Sequence, residues 1–166
     1  MKTLYLCRHA KSSWDDPGLA DEERPLIPLG ISKTMLVARF LKEKDIQPEL
    51  MISSHAVRAY ETARIIAKEL GYPRLRIRVE PVVYEGSGEN LLDLISGIDN
   101  RIESVMIFGH NPVITQTANF FLHPRIEEIP TSAVVGIRFD TDNWERISMS
   151  AASKDFIIYP GLLKKP

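Results

Sequence analysis

Three features of this 166-residue chain predict an α/β fold: a three-layer α/β/α sandwich around a mostly parallel, mixed central sheet. Short continuous apolar runs at residues 3–7, 50–52 and 104–108 have the character of strands buried on both faces. Stretches with helical periodicity alternate with them over the first 120 residues, which is the pattern of βα units. Beyond that point, a β-prone run at 133–139 and the turn residues 140–143 predict a hairpin, and a hairpin makes the sheet mixed. The length suits one domain over 1–166 and is short for two.

The elements follow in order. Residues 3–7 form the first strand. Asp15-Asp16-Pro17-Gly18 is turn chemistry, and the polar stretch from Asp21 to Pro25 extends residues 12–28 into a long loop of the kind that often carries function. A helix is expected over 29–44, with Ile31, Met35, Ala38 and Leu41 inward and Lys33, Arg39, Lys42 and Glu43 outward. After the strand at 50–52, Ser54 suits an N-cap for a helix through Ala59, Ala63, Ile66, Ala67 and Leu70. Gly71 ends that helix, with Pro73 just beyond. Residues 76–83 are extended but carry Pro81, so they predict an edge strand or two short pieces. A loop at 84–88 leads to a helix over 89–98 with Leu91, Leu92 and Ile95 inward. The strand at 104–108 precedes Asn111 as N-cap and Pro112 as first helical residue of a helix reaching 122. Residues 144–149 are expected to pair with 133–139, and 156–159 to form a further strand or extended segment. No internal repeat is present.

The formal net charge of -1 gives no electrostatic case for nucleic acid or an anionic membrane, so any anion site must be local. The single cysteine, Cys7, cannot form an internal disulfide and lies in an apolar run, which fits a reducing, cytoplasmic compartment. The first apolar run is too short for a leader, and none approaches the roughly 20 residues of a membrane span. Four histidines without carboxylates or cysteines at ligand spacing predict no metal site. Arg74, Arg76 and Arg78 are expected to form a solvated face.

In open α/β sheets, ligands sit beyond the carboxyl ends of the strands. Three apolar runs here end in residues suited to an anion. The first stops at Arg8-His9, the second at Ser53-Ser54 with Arg58 in the opening turn of its helix, and the third at Gly109-His110. Arg58 carries the most information. A cation in a first helical turn opposes the macrodipole by about 0.3–1 kcal/mol. A bound phosphate reverses that sign, because helix N-termini and arginine forks both favour it.

Leu6-Cys7-Arg8-His9-Ala10 resembles the Arg-His-Gly signature of the histidine phosphatase superfamily, with its phosphoglycerate-mutase-like fold. Alanine stands in place of the glycine, so the backbone there must accept a Cβ. Further landmarks resemble that superfamily in order: Arg24-Pro25-Leu26 before Gly30, Ser53-Ser54 with Arg58-Ala59 and Thr62, Gly109-His110-Asn111-Pro112, and Thr131-Ser132-Ala133. Their forms and the small size are most similar to SixA-type phosphohistidine phosphatases.

The resemblance implies that His9 is the nucleophile, neutral and in the correct tautomer, forming a phosphohistidine that water hydrolyses. It implies that Arg8 and Arg58 hold the phosphoryl oxygens and that His110, cationic when phosphate is bound, completes the pocket. Ser12 would add a hydroxyl or position the loop, and Arg24 would stand at the rim. Such preorganised donors stabilise the transferring group, so neither metal nor another cofactor is implied. Larger members of the superfamily protonate the leaving oxygen with a carboxylic acid from a loop after the third strand. Glu85 lies in that region and is the candidate acid, with Asp15 and Asp16 behind it. A phosphoramidate nitrogen can leave protonated without a strong local acid. The expected partner is therefore a phosphorylated protein of histidine-phosphotransfer type. The alternatives are a small-molecule phosphomonoesterase acting on a sugar or nucleotide phosphate, and a phosphate-binding module without catalysis.

Overall fold

The computed structural model describes residues 1–163. A six-stranded sheet runs through its centre. Its strands are β1 (Lys2–Arg8), β2 (Leu50–Ser53), β3 (Arg78–Val79), β4 (Ser104–Gly109), β5 (Val134–Phe139) and β6 (Ala152–Ile158), in the spatial order β3-β2-β4-β1-β5-β6. Neighbouring strands from β3 to β1 are parallel, whereas β5 is antiparallel to both β1 and β6. The sheet is therefore mostly parallel and mixed, as the sequence predicts.

The alternation of side chains along the central strands separates two cores. Leu4 and Leu6 of β1 and Val105 and Ile107 of β4 face one side. There they meet Leu91 and Ile95 of α4 (Gly88–Ser96), Ile114 and Ala118 of α5 (Val113–Phe121), and Trp144. Tyr5, Cys7, Met106 and Phe108 face the other side, against Val37, Ala38 and Leu41 of α1 (Pro28–Glu43) and Ala63 and Ile66 of α2 (Val57–Leu70). Both faces of the sheet are thus covered, which explains the continuous apolar runs at 4–7, 50–52 and 105–108 of its inner strands. A one-turn helix, α3 (Val82–Glu85), leads into α4, and Gly71 ends α2 in the left-handed region at φ 75°. No helix of the described residues is long and apolar enough to cross a membrane.

Several expected elements are corrected. Ile31 and Met35 of α1 are each 40% exposed, and the inner face is carried by Gly30, Thr34, Val37, Ala38 and Leu41. A Cβ on Gly30 would stand 2.5 Å from the carbonyl oxygen of Lys11, so only glycine lets the helix sit this close to the chain leaving β1. Leu92 of α4 is only half-buried. Residues Trp144–Met149 are a 3-10 helix and not the hairpin partner of β5. Trp144 is held by an amide hydrogen bond to Asn100 and an indole hydrogen bond to the carbonyl of Ile102, and β6 pairs with β5 in its place. Ala56, not Ser54, occupies the N-cap of α2, and Pro112 takes the N-cap position of α5. Asn111 still accepts from the amide of Thr115, at 3.3 Å, so it serves the opening turn from one residue further out.

Candidate active site

The carboxyl ends of β2, β4 and β1 lie side by side, with Arg8 opposite Gly109 and Ser53 opposite Phe108. Each strand hands the chain to a polar residue at this edge: His9 after β1, Ser54 after β2, His110 after β4. β5 runs the other way and starts here, so the turn before it closes over β1. The amide of Ser132 donates to the carbonyl oxygens of Arg8 and His9 at 3.0 and 3.3 Å, and the amide of His9 donates to Gly109 at 3.0 Å. Ser132 holds φ 62°, a left-handed conformation uncommon outside glycine. Its hydroxyl, 2.8 Å from that of Thr34, fixes it to the inner face of α1. Ala10 is fully buried and lies outside the left-handed region, so its Cβ is accommodated. Its amide donates to Thr62 Oγ1 at 2.9 Å, and that hydroxyl donates to the carbonyl of Arg58, which ties the end of β1 to the first turn of α2.

The imidazoles of His9 and His110 lie 5.1 Å apart between centroids. Nδ1 of His9 stands 2.7 Å from the carbonyl oxygen of Ala10. A carbonyl can only accept, so the network places the proton on Nδ1 and leaves the lone pair on Nε2. Nε2 of His110 is 2.8 Å from Ser54 Oγ, which already accepts from the amide of Ala56. When the serine hydroxyl donates to Nε2, the proton of His110 resides on Nδ1. Among the described residues four buried side-chain nitrogens lack a partner. Three of them are Arg8 Nε, Arg58 Nε and His110 Nδ1, and the fourth is Nδ1 of His55, beside Tyr84.

Both arginines are held by their terminal nitrogens. Arg8 Nη1 donates to the carbonyl of Ile129 at 3.0 Å and to Glu128 at 3.3 Å. Arg58 Nη1 donates to the main-chain oxygen of Asp21 at 2.6 Å, and Nη2 to its Oδ2 at 2.8 Å. Burial, reinforced by the charges of Arg58, Arg8 and Arg24, brings His9 down to about 4, although its hydrogen bond to Ala10 opposes the shift. Burial also brings His110 down to about 3, helped by His9 and Arg58. Both rings are neutral at pH 7. The carboxyl of Asp21 is pulled to about 2, first by the hydroxyl of Tyr84 and then by Arg58.

The structure thus brings together Arg8, His9, Arg58 and His110 of the sequence-predicted set. Arg24 and Ser12 join them at the rim. Arg24 Nη1 donates to Ser12 Oγ at 3.1 Å, Nε donates to Asp21 Oδ1 at 3.1 Å, and the ring of exposed Trp14 lies 3.5 Å from the guanidinium. These residues border a groove of about 350 Å³ that includes Arg8 and His9. Glu85 is not drawn in. It is the exposed last residue of α3, and the residue before it faces the cluster. Tyr84 meets the ring of His110 edge-on at 5.2 Å and donates its hydroxyl to Asp21 at 2.7 Å. Sequence reasoning missed Asp21, Tyr84 and Glu128. The spacing of Asp21 three residues before Arg24 was the one available signal for the first.

Comparison with known proteins finds a family and a fold. A model of the histidine phosphatase superfamily (branch 1) matches residues 4–91, just over half of the chain and the part carrying Arg8, His9 and Arg58. An uncharacterised chloroplastic protein of Arabidopsis thaliana is 33% identical over 118 residues, covering 66% of this chain and 54% of its own, so this chain spans about half the length of that relative. The structure of the protein histidine phosphatase SixA complexed with tungstate superposes with a TM-score of 0.84 at 21% identity, over 98% of this chain and 99% of that one. The VO3 complex of mycobacterial glucosyl-3-phosphoglycerate phosphatase gives 0.68 at 14% identity, over 94% and 98%. At such identities the two structures establish a shared fold.

Proposed function

The chain belongs to the histidine phosphatase superfamily, and from that membership we propose that it hydrolyses phosphohistidine on a protein through a phosphohistidine formed on His9. One observation carries the phosphoryl-transfer part. Three buried nitrogens without partners, on Arg8, Arg58 and His110, accompany a neutral His9 whose lone pair lies on Nε2. Unpaired buried N–H groups are costly, and a phosphoryl group supplies the oxygens they lack.

In the first step Nε2 of His9 attacks phosphorus as the bond to the leaving nitrogen breaks. The arginine Nε–H groups and Nδ1–H of His110 hold the phosphoryl oxygens, where charge is stabilised most effectively by donors already in place. The departing imidazole leaves as the neutral ring, its far nitrogen having taken a proton from solvent. Water then attacks the phosphorus on His9, inorganic phosphate departs, and the neutral imidazole is restored.

The choice of a phosphoramidate substrate follows from the carboxylates. Those that touch the cluster, Asp21 and Glu128, each sit on the outer end of an arginine, and Asp21 is far too acidic to carry a proton at neutral pH. An ester oxygen needs a proton donor in the site to leave readily, whereas a phosphorylated imidazole has a basic ring nitrogen that solvent protonates, so it leaves without a strong local acid. The free, buried thiol of Cys7 suits a reducing compartment, and a cytoplasmic location belongs to the same proposal. The test is to present a phosphorylated histidine-phosphotransfer domain beside a panel of sugar and nucleotide phosphates and follow phosphate release. Turnover of the esters without turnover of the phosphoprotein refutes the protein substrate. Phosphate binding with no acid-labile adduct on His9 refutes catalysis altogether.

A further inference from the structure

We infer that Asp21 is a positioning residue for Arg58, holding the guanidinium by its terminal edge so that its Nε edge is presented to the phosphoryl group. The ligand in this inference rests on the phosphatase reading above. A guanidinium offers two edges suited to bidentate contact, the terminal Nη1/Nη2 pair and the lateral Nε/Nη2 pair. Asp21 takes the terminal pair with two different oxygens, its own carbonyl and its carboxylate. The lateral edge is left, and its Nε is buried without a partner. A long arginine at the start of α2 gains nothing from the helix dipole, so an anion at its far end is what sets its direction.

Asp21 is itself fixed from two further sides. Tyr84, from α3, donates to Oδ2, and Arg24, in turn bonded to Ser12 and Ser13, donates to Oδ1. The chain around it forms a 3-10 turn at Asp21–Glu23 in the loop that follows β1. Two segments distant in sequence, carrying Arg58 and Tyr84, therefore converge with the neighbouring Arg24 on one carboxylate. A carboxylate that merely competed with phosphate for Arg58 would have the opposite signature, since its removal would tighten anion binding.

The measurement is calorimetric titration with tungstate of the wild-type chain, Asp21→Asn, Arg58→Ala and the double variant. Asp21→Asn is expected to weaken tungstate about tenfold or more, the scale at which losing the group that orients a ligand is felt. The double variant should bind no more weakly than Arg58→Ala, because Asp21 acts through that side chain. Equal or tighter binding by Asp21→Asn overturns the inference, and so does an undiminished loss in the Arg58→Ala background. Tyr84→Phe removes one bond to the carboxylate and leaves Asp21 in place. Its expected loss is about twofold to fivefold, the scale of one hydrogen bond, and unchanged binding there counts against the inference even if Asp21→Asn does not fold. A wild-type chain that binds no tungstate refutes the phosphatase reading and this inference together. Tungstate binding with no phosphohistidine turnover removes only the substrate class.

Discussion

Acid should silence the site near pH 4, and not near the 6.5 of an ordinary histidine. In the proposed mechanism His9 attacks only as the neutral imidazole, and burial together with the three arginine charges brings its pKa down to about 4. The distance from 6.5 to about 4 corresponds to about 3 kcal/mol of preference for the neutral ring. The sign for stability follows from proton binding. The unfolded chain takes up protons on His9 and His110 from about 6.5 downward, while the folded chain resists until about 4 and about 3. Their contribution is therefore complete above about pH 6.5 and is lost as the pH falls through that window. Two assays check this. A histidine NMR titration, with His9→Ala to assign the resonances, should place the His9 midpoint near 4. Urea unfolding should show stability falling between pH 6.5 and 4, with a shallower fall in His9→Ala. A His9 midpoint near 6.5 would refute the electrostatic account. A bound dianion acts in the opposite direction on both rings, so tungstate binding at pH 6 should be accompanied by proton uptake.

His9→Ala should abolish both turnover and the acid-labile, base-stable adduct, measured by labelling with radioactive phosphate. Arg8→Ala, which removes a proposed phosphoryl ligand, should cost about a hundredfold or more in kcat/KM, the order found when a preorganised donor is lost; a wild-type rate would show that its role is assigned wrongly. Glu85→Gln should change phosphohistidine turnover less than about threefold, whereas a large loss on phosphate esters would favour a phosphomonoesterase using Glu85 as acid. Gly30→Ala should destabilise the fold by about 1–3 kcal/mol through overpacking, because its Cβ would meet the Lys11 backbone at 2.5 Å. Thermal unfolding tests this, since the helix propensity of alanine alone predicts a gain.

The sheet is legible because strands covered on both faces carry continuous apolar runs, and β1, β2 and β4 have them at 4–7, 50–52 and 105–108. The inner face of α1 differs from the one its periodicity predicts, for the complementary reason. Gly30 and Thr34 face inward for close approach and for the hydroxyl contact with Ser132, neither of which a hydrophobic period registers, and Ile31 and Met35 were left outside. Residues 144–149 have strand-like composition, but Trp144 finds its hydrogen bonds on the segment before β4. The chain coils there and returns as β6, whose outer residues are too polar to announce a strand.

Site residues followed a similar division. Arg8, His9 and His110 stand where apolar runs stop, and Arg58 stands where a helix would rather have an anion, so local sequence marks all four. Asp21 carries no such mark, because its value depends on a loop folding back until one carboxylate meets Arg58, Arg24 and Tyr84 at once. In the segment after the third strand the sequence offers Glu85 as an acid. The one-turn helix there points Tyr84 at the site, and the tyrosine spends its own proton on Asp21. The carboxylates at this site thus serve to aim cations. Under the proposed mechanism, a pocket built that way holds the phosphoryl group and leaves the departing atom to take its proton from solvent, a division of labour that suits nitrogen bound to phosphorus better than oxygen.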